Sequence, residues 1–143
     1  MTTYRYFLSL RVWHSSQDLV IVTNTLGLAP EFFDQAGQAR VRKGKVLDFI
    51  SKESYWSHAF DLDAEQDIED CLLLHIGKLE PYKMLFDNIA STGGRSEFFI
   101  GFMLESSNSG FVLSPELQSK CAALNIGLSF DIYESDKQAG AAV

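Results

Sequence analysis

The sequence predicts an α+β fold, a mainly antiparallel sheet with helices packed on one side, and three observations carry that expectation. Segments with the two-residue period of strands mix along the chain with segments at helical spacing, in the order β-α-β-β, with room for one more strand, then α-α-β-β-α-β. The strands near the middle are joined by hairpin-like turns rather than by helices. A faint internal echo relates the opening strand and helix, ending Leu26-Gly27-Leu28, to the closing helix and strand around Asn125-Ile126-Gly127-Leu128. Two split β-α-β halves in a ferredoxin-like arrangement would explain that echo.

The 143 residues, 46% of them hydrophobic, fit one domain with a single core, placed at 1–136. The small and polar residues of 137–143 read as a frayed tail. Tyr4 to Trp13 opens the chain as a strand with Tyr6, Leu8, Leu10 and Val12 on one face. Arg5, Ser9 and Arg11 lie on the other beside Phe7 and Trp13. In Ser15 to Leu28, Ser16 suits an N-cap, Leu19, Val22 and Leu26 share a side, and Gly27 suits a stop. The β-branched run Val20 to Thr25 pulls toward a strand. Helix is preferred because cap, spacing and stop agree.

Lys43-Gly44 reads as the turn of a basic hairpin that carries Arg40, Arg42 and Lys45, followed by apolar Val46 to Ile50 and by a strand with Tyr55, Trp56, His58 and Phe60. Ile68, Cys71, Leu72, His75, Ile76 and Leu79 make an amphipathic helix face. Pro81 restarts a helix with Leu85, Phe86 and Ile89 inward, and Gly93-Gly94 ends it. Glu97 to Glu105 is apolar on both faces, as a central strand must be. Phe111 to Leu113 reads as its antiparallel neighbour. Ser114, Pro115 and Glu116 then give N-cap, first helical position and first-turn acid, and Asn125 with Gly127 gives the stop before a strand alternating Leu128, Phe130 and Ile132 with polar residues.

The order and spacing of several short signatures resemble a known family. They are the Tyr-rich opening strand, Leu26-Gly27-Leu28-Ala29-Pro30, Gly37 with the basic hairpin, Trp56, and Leu113-Ser114-Pro115-Glu116-Leu117 through Asp131-Ile132-Tyr133. From Tyr4 to Glu134 the chain is similar to the bacterial domain-of-unknown-function family 4279. The resemblance implies a small single-domain α+β protein without an assigned reaction and supports the helix over Ser16 to Leu26. It supplies no active-site residues.

A net charge of −7 argues against a phosphate-backbone binder, so no nucleic-acid partner is expected. No apolar run reaches membrane length and no leader pattern opens the chain, so a soluble cytoplasmic protein without membrane contact is expected. Cys71 and Cys121 fall on apolar helical faces and read as buried thiols. Cys71 and His75 stand one helical turn apart, but no third ligand accompanies them, so no metal or other cofactor is expected. Nucleophile elbow, P-loop and dinucleotide fingerprint are all missing, and the expectation is a non-enzyme with no catalytic residues.

Two functional expectations remain. The first is an acidic protein-binding module, in its sharpest form a bacterial immunity-type protein that neutralises a basic toxin. Asp61, Asp63, Glu65, Asp67, Glu69 and Asp70 would steer the partner, with Tyr55 or Trp56 as an apolar anchor. A solvated helix start is the plainer reading of the acids, and core packing the plainer one of Trp56. The second is a small-ligand sensor or regulatory domain that forms a dimer, with Phe98 to Leu104 lining a pocket and Arg40, Arg42 and His58 contacting an anion. The sensor would be a homodimer, whereas a toxin blocker can act as a monomer.

Overall fold

The computed structural model describes residues 4–62 and 66–134. Its organising strand is β1, Tyr4–His14, where Leu8, Leu10, Val12 and His14 are buried and the alternate side chains are not. Along one edge β1 pairs antiparallel with β5, Ser54–Ala59, and along the other with β6, Gly94–Leu104. Outside β5 lies β2, Phe32–Asp34, antiparallel to it, and outside β6 lies β7, Ile126–Glu134, parallel to it. The sheet order is β2-β5-β1-β6-β7.

This order contains the ferredoxin-like pattern. Both β1 and β2 run antiparallel to β5, so they are parallel to each other with β5 between them, bridged by helix α1, Val20–Leu26. By the same reasoning β5 and β6 are parallel with β1 between them, bridged by α2, Ile68–Leu79, and α3, Lys83–Ser91. Each β-α-β unit is thus split by a strand of the other. The second half is therefore the β5-to-β6 unit and not the chain end that echoes the first. Helix α4, Pro115–Ala123, and β7 are an appended unit that adds a parallel strand at the β6 edge.

The helices share one face. Val22 of α1, Ile68, Cys71, Leu72, Ile76 and Leu79 of α2, Leu85, Phe86 and Ile89 of α3 and Leu117 of α4 join Leu8, Leu10, Val12, Phe98 and Ile100 in one core. Among the described residues no helix is long and apolar enough to cross a membrane.

Three local expectations are corrected. Ser16 does not cap α1, which starts at Val20 without a side-chain cap. The cause is buried His14, whose Nδ1 accepts from the backbone N–H of Ser16 at 3.1 Å and of Gln17 at 2.8 Å, holding that stretch out of the helix. The stop is as expected: Gly27 takes φ +72° and its N–H donates to Thr23 O at 2.8 Å.

Phe111 to Leu113 is not a strand, because the outer edge of β6 belongs to β7, from Ser96↔Ile126 to Leu104↔Glu134. Phe111 instead packs its ring against Phe102 and Phe130, with centroids 5.0 and 5.4 Å away. The turn before β7 is made by Asn125 at φ +56°, and Gly127 already lies in the strand. Pro81 sits in a short 3₁₀ turn, Glu80–Tyr82, and α3 follows it. The capping of α4 is as expected, with Ser114 Oγ accepting from Leu117 N–H at 3.2 Å.

The basic hairpin forms a separate two-stranded sheet of β3, Ala39–Arg42, and β4, Lys45–Ile50. Lys43 and Gly44 both take positive φ, the requirement of a two-residue turn that matches strand twist. Along β4 every residue is exposed. The tail at 137–143 lies outside the described residues.

Candidate functional site

Among the described residues, helices cover only one face of the sheet. On the other, cross-strand partners bring Trp13 beside Tyr55 and Arg95, Tyr55 beside Asp34, and Arg11 beside Ser57 and Glu97. At the β2–β5 end the β3–β4 hairpin reaches this face through Arg40 and Arg42. Four arginines lie against four aromatic rings here. Arg11 sits 3.6 Å from the Phe99 centroid, Arg95 4.2 Å from Trp13, Arg40 4.4 Å from Phe49 and Arg42 5.1 Å from Phe32.

The hairpin is fastened by Asp34, whose side chain is 1% exposed. Arg42 grips both of its oxygens, and this hydrogen bonding pushes the Arg42 guanidinium further above its already high pKa. Arg40 Nε lies 3.4 Å from Asp34 Oδ2 as an ion pair, but without hydrogen-bond alignment, and it is shielded from solvent with no hydrogen-bond partner. Next to this cluster is a cavity of about 280 Å³, walled by Arg11, Trp13, Tyr55 and the hairpin arginines. Such a wall offers guanidinium donors and flat apolar surface together. It suits recognition of carboxylate or phosphate groups, and nothing in it forms a nucleophile–base pair.

A second cavity, also about 280 Å³, opens on the helix side between Leu26, Leu28, Phe60, His75 and Tyr82. Its character is apolar. The His75 ring packs 4.3 Å from that of Phe60, and burial, helped by Lys78 and His58, lowers the His75 pKa. Cys71 is buried beside Tyr6, and burial raises the pKa of its thiol. No group of three or more metal-ligating side chains occurs among the described residues.

The acids of the 61–70 run divide. Asp67 caps α2, accepting from Glu69 N–H at 3.0 Å and from the Tyr4 hydroxyl at 3.0 Å. Glu69 accepts from Ser114 N–H, tying α2 to the start of α4. Asp61 and Asp70 are exposed, while Asp63 and Glu65 lie outside the described residues.

Tyr55 and Trp56 point to opposite faces of β5. Tyr55 lines the polar cavity. Trp56 is not a surface anchor, since it is fully buried and its indole N–H donates to Thr23 Oγ1 at 2.9 Å. Nor does His58 join Arg40 and Arg42. It pairs with Leu10 on the helix side of the sheet, and its Nδ1–H donates to Ala29 O at 2.6 Å. Phe98, Ile100 and Phe102 line neither of these two cavities and lie in the core. Arg11, Trp13 and Asp34 were not singled out by motif. The signal for the first two is their odd position in β1, opposite its buried face.

A family model described as Domain of unknown function (DUF4279) matches residues 2–135. No curated protein and no solved structure matches the chain.

Proposed function

The chain belongs to the DUF4279 family, which brings no reaction with it, and on that premise we propose a non-enzymatic protein-binding module that meets its partner through the helix-free face of its sheet. One observation carries this reading: four arginine–aromatic stacks on a single open surface. Trp, Tyr and Arg dominate the energetics of protein interfaces, because flat or forked side chains bury much area and lose little entropy. Phe7 beside the stacks and Phe32 and Phe49 within them are 42%, 40% and 47% exposed, more apolar surface than an idle face needs to show.

The narrower form of the proposal is a bacterial, cytoplasmic immunity-type protein that neutralises a basic toxin. It is supported by the net charge of −7 and by exposed Asp61 and Asp70. In that form the acids speed the encounter and the arginine–aromatic face supplies the contact.

The test is capture of a partner from the source lysate, followed by affinity measurements with Phe7→Ala and Arg11→Glu. Weakening of both by tenfold or more supports the face. Unchanged affinity in both removes it. Charge reversal at Asp61 and Asp70 tests the immunity-type form, which predicts slower association that high salt masks. An isolated dimer in light scattering with no captured protein would shift the reading to a ligand-binding domain.

A further inference from the structure

We propose that the cavity between the β3–β4 hairpin and the helix-free face is a binding site for a small organic oxyanion, a carboxylate or phosphate carried on a flat ring. The charge balance comes first. Arg11, Arg40 and Arg42 face Asp34 and Glu53 in the cavity wall, and Glu53 is itself paired with Arg95 at 3.6 Å. Counting Arg95, and Glu97 that stands beside Arg11 in register, four arginines face three carboxylates and leave one positive charge uncompensated. In a chain of net charge −7 this is a local reversal of sign.

The donor inventory comes second. A cluster that existed only to fasten the hairpin would spend its donors internally. Arg42 does so, with both ends on Asp34. Arg11 does not: it forms no ion pair among the described residues, and its guanidinium rests on the Phe99 ring, which orients it while leaving its edge N–H groups unspent. Arg40 likewise stacks on Phe49, and its shielded Nε lacks a hydrogen-bond partner. That Nε is turned toward Asp34, so the donors Arg40 can offer a ligand in the cavity are its Nη groups, which make no hydrogen bond among the described residues.

Shape comes third. Trp13 and Tyr55 form a continuous aromatic wall, with ring centroids 5.3 Å apart. The cavity, about 280 Å³, holds a single ring with its head group and not a polymer. The site shares its face with the protein-binding reading but does not rest on it, since the isolated chain is what is titrated.

The experiment is calorimetric titration of the isolated chain with phenyl phosphate, benzoate and inorganic phosphate. Saturable one-site binding of phenyl phosphate or benzoate is expected, tighter than inorganic phosphate because of the aromatic wall; which of the two binds better identifies the head group. Arg11→Gln and Arg40→Gln should each weaken it about tenfold, the loss expected for one charged hydrogen-bonding partner. Arg5→Gln, on the same sheet face but paired with Glu105 outside the cavity, should bind as the parent does. If Arg40→Gln loosens the hairpin, Arg11→Gln still decides the matter, with thermal unfolding as the check on its fold. The site is refuted if no probe saturates, if Arg11→Gln folds and binds unchanged, or if Arg5→Gln weakens binding equally.

Discussion

Arg42 holds Asp34 with both ends of its guanidinium, Nη1 to Oδ1 at 2.6 Å and Nη2 to Oδ2 at 3.0 Å. The pair joins the last residue of β2 to the last residue of β3, across the turn that contains Gly37. Because the Asp34 side chain is 1% exposed and that of Arg42 27%, the carboxylate is the partner that has given up its water. Asp34→Asn leaves a half-buried guanidinium with one weak acceptor. It should lower stability by about 2 kcal/mol, below the roughly 3–5 kcal/mol of a fully buried pair because Arg42 keeps some contact with water. Urea unfolding measures that loss, and faster proteolysis within β3–β4 would locate it. An unchanged midpoint would show that the hairpin is held by other contacts.

Two glycines of β6 should respond differently to alanine. At Gly94 a Cβ would come within 2.5 Å of Trp13 O and 2.7 Å of Ile89 Cγ2, atoms that cannot swing away. Gly94→Ala is expected to cost about 3 kcal/mol, the upper range for overpacking. At Gly101 the obstacle is the Phe7 ring, which lies across the glycine from the open face. That ring can rotate off, so Gly101→Ala should cost about 1 kcal/mol. The double variant with Phe7→Ala should recover part of it in thermal unfolding.

Neighbouring Tyr55 and Trp56 separate binding from stability. Trp56→Ala empties a fully buried site and is expected to cost about 4 kcal/mol. Trp56→Phe should cost about 2 kcal/mol, from the lost bond to Thr23 together with the space the smaller ring leaves. Tyr55→Ala should leave the unfolding midpoint nearly in place and weaken whatever binds the open face. Parallel denaturation and binding measurements test the contrast, which fails if Tyr55→Ala unfolds as readily as Trp56→Ala.

His75 gives the fold an acid sensitivity. Burial is the main cause of its lowered pKa, with Lys78 and His58 adding to it. The unfolded chain, with an ordinary value of 6.5, therefore takes up the proton at a higher pH than the native one. Stability from this group is complete above about pH 6.5 and declines as pH falls below it toward the native value. Comparing the stability of the parent and His75→Leu from pH 7.5 to 5.5 isolates the effect. The variant should show the shallower slope, and equal slopes would remove the assignment.

The two thiols report unfolding rather than redox chemistry. Burial raises the pKa of Cys71, and that of Cys121 to about 11, so little thiolate is present at neutral pH. Labelling by a thiol reagent should be slow in the native protein and become fast at the denaturant concentration where the sheet melts. Rapid native labelling of Cys121 would mean that α4 opens on its own.

How much of this was legible depended on whether the deciding contact was local. Ser114, Pro115 and Glu116 fix the start of α4 within one turn, and the apolar stripe from Ile68 to Leu79 fixes α2. The start of α1 was not readable from Ser16, because the imidazole of His14 accepts from the Ser16 and Gln17 N–H groups and holds that stretch out of the helix. The apolar weight of Phe111 was clear, but its role depended on where β7 pairs, a choice made across the sheet. At the site, the basic character of Arg40 and Arg42 was visible, whereas their convergence with Arg11 and Trp13 on one face required the strand order.

The placement of β1 also has a consequence for biosynthesis. This central strand is translated before either of its partners, and its register with β6 closes from His14↔Gly94 to Tyr4↔Leu104. At about 5–20 residues per second, roughly 80 residues of translation separate His14 from Gly94, a delay of roughly 4–16 s. During that interval β1 has β5 to pair with but not β6, and the ribosome-bound chain carries an apolar strand with one edge unsatisfied. Closure of the β1–β6 pairing therefore waits on this later-made strand, and until then the nascent chain is exposed to aggregation and to chaperones.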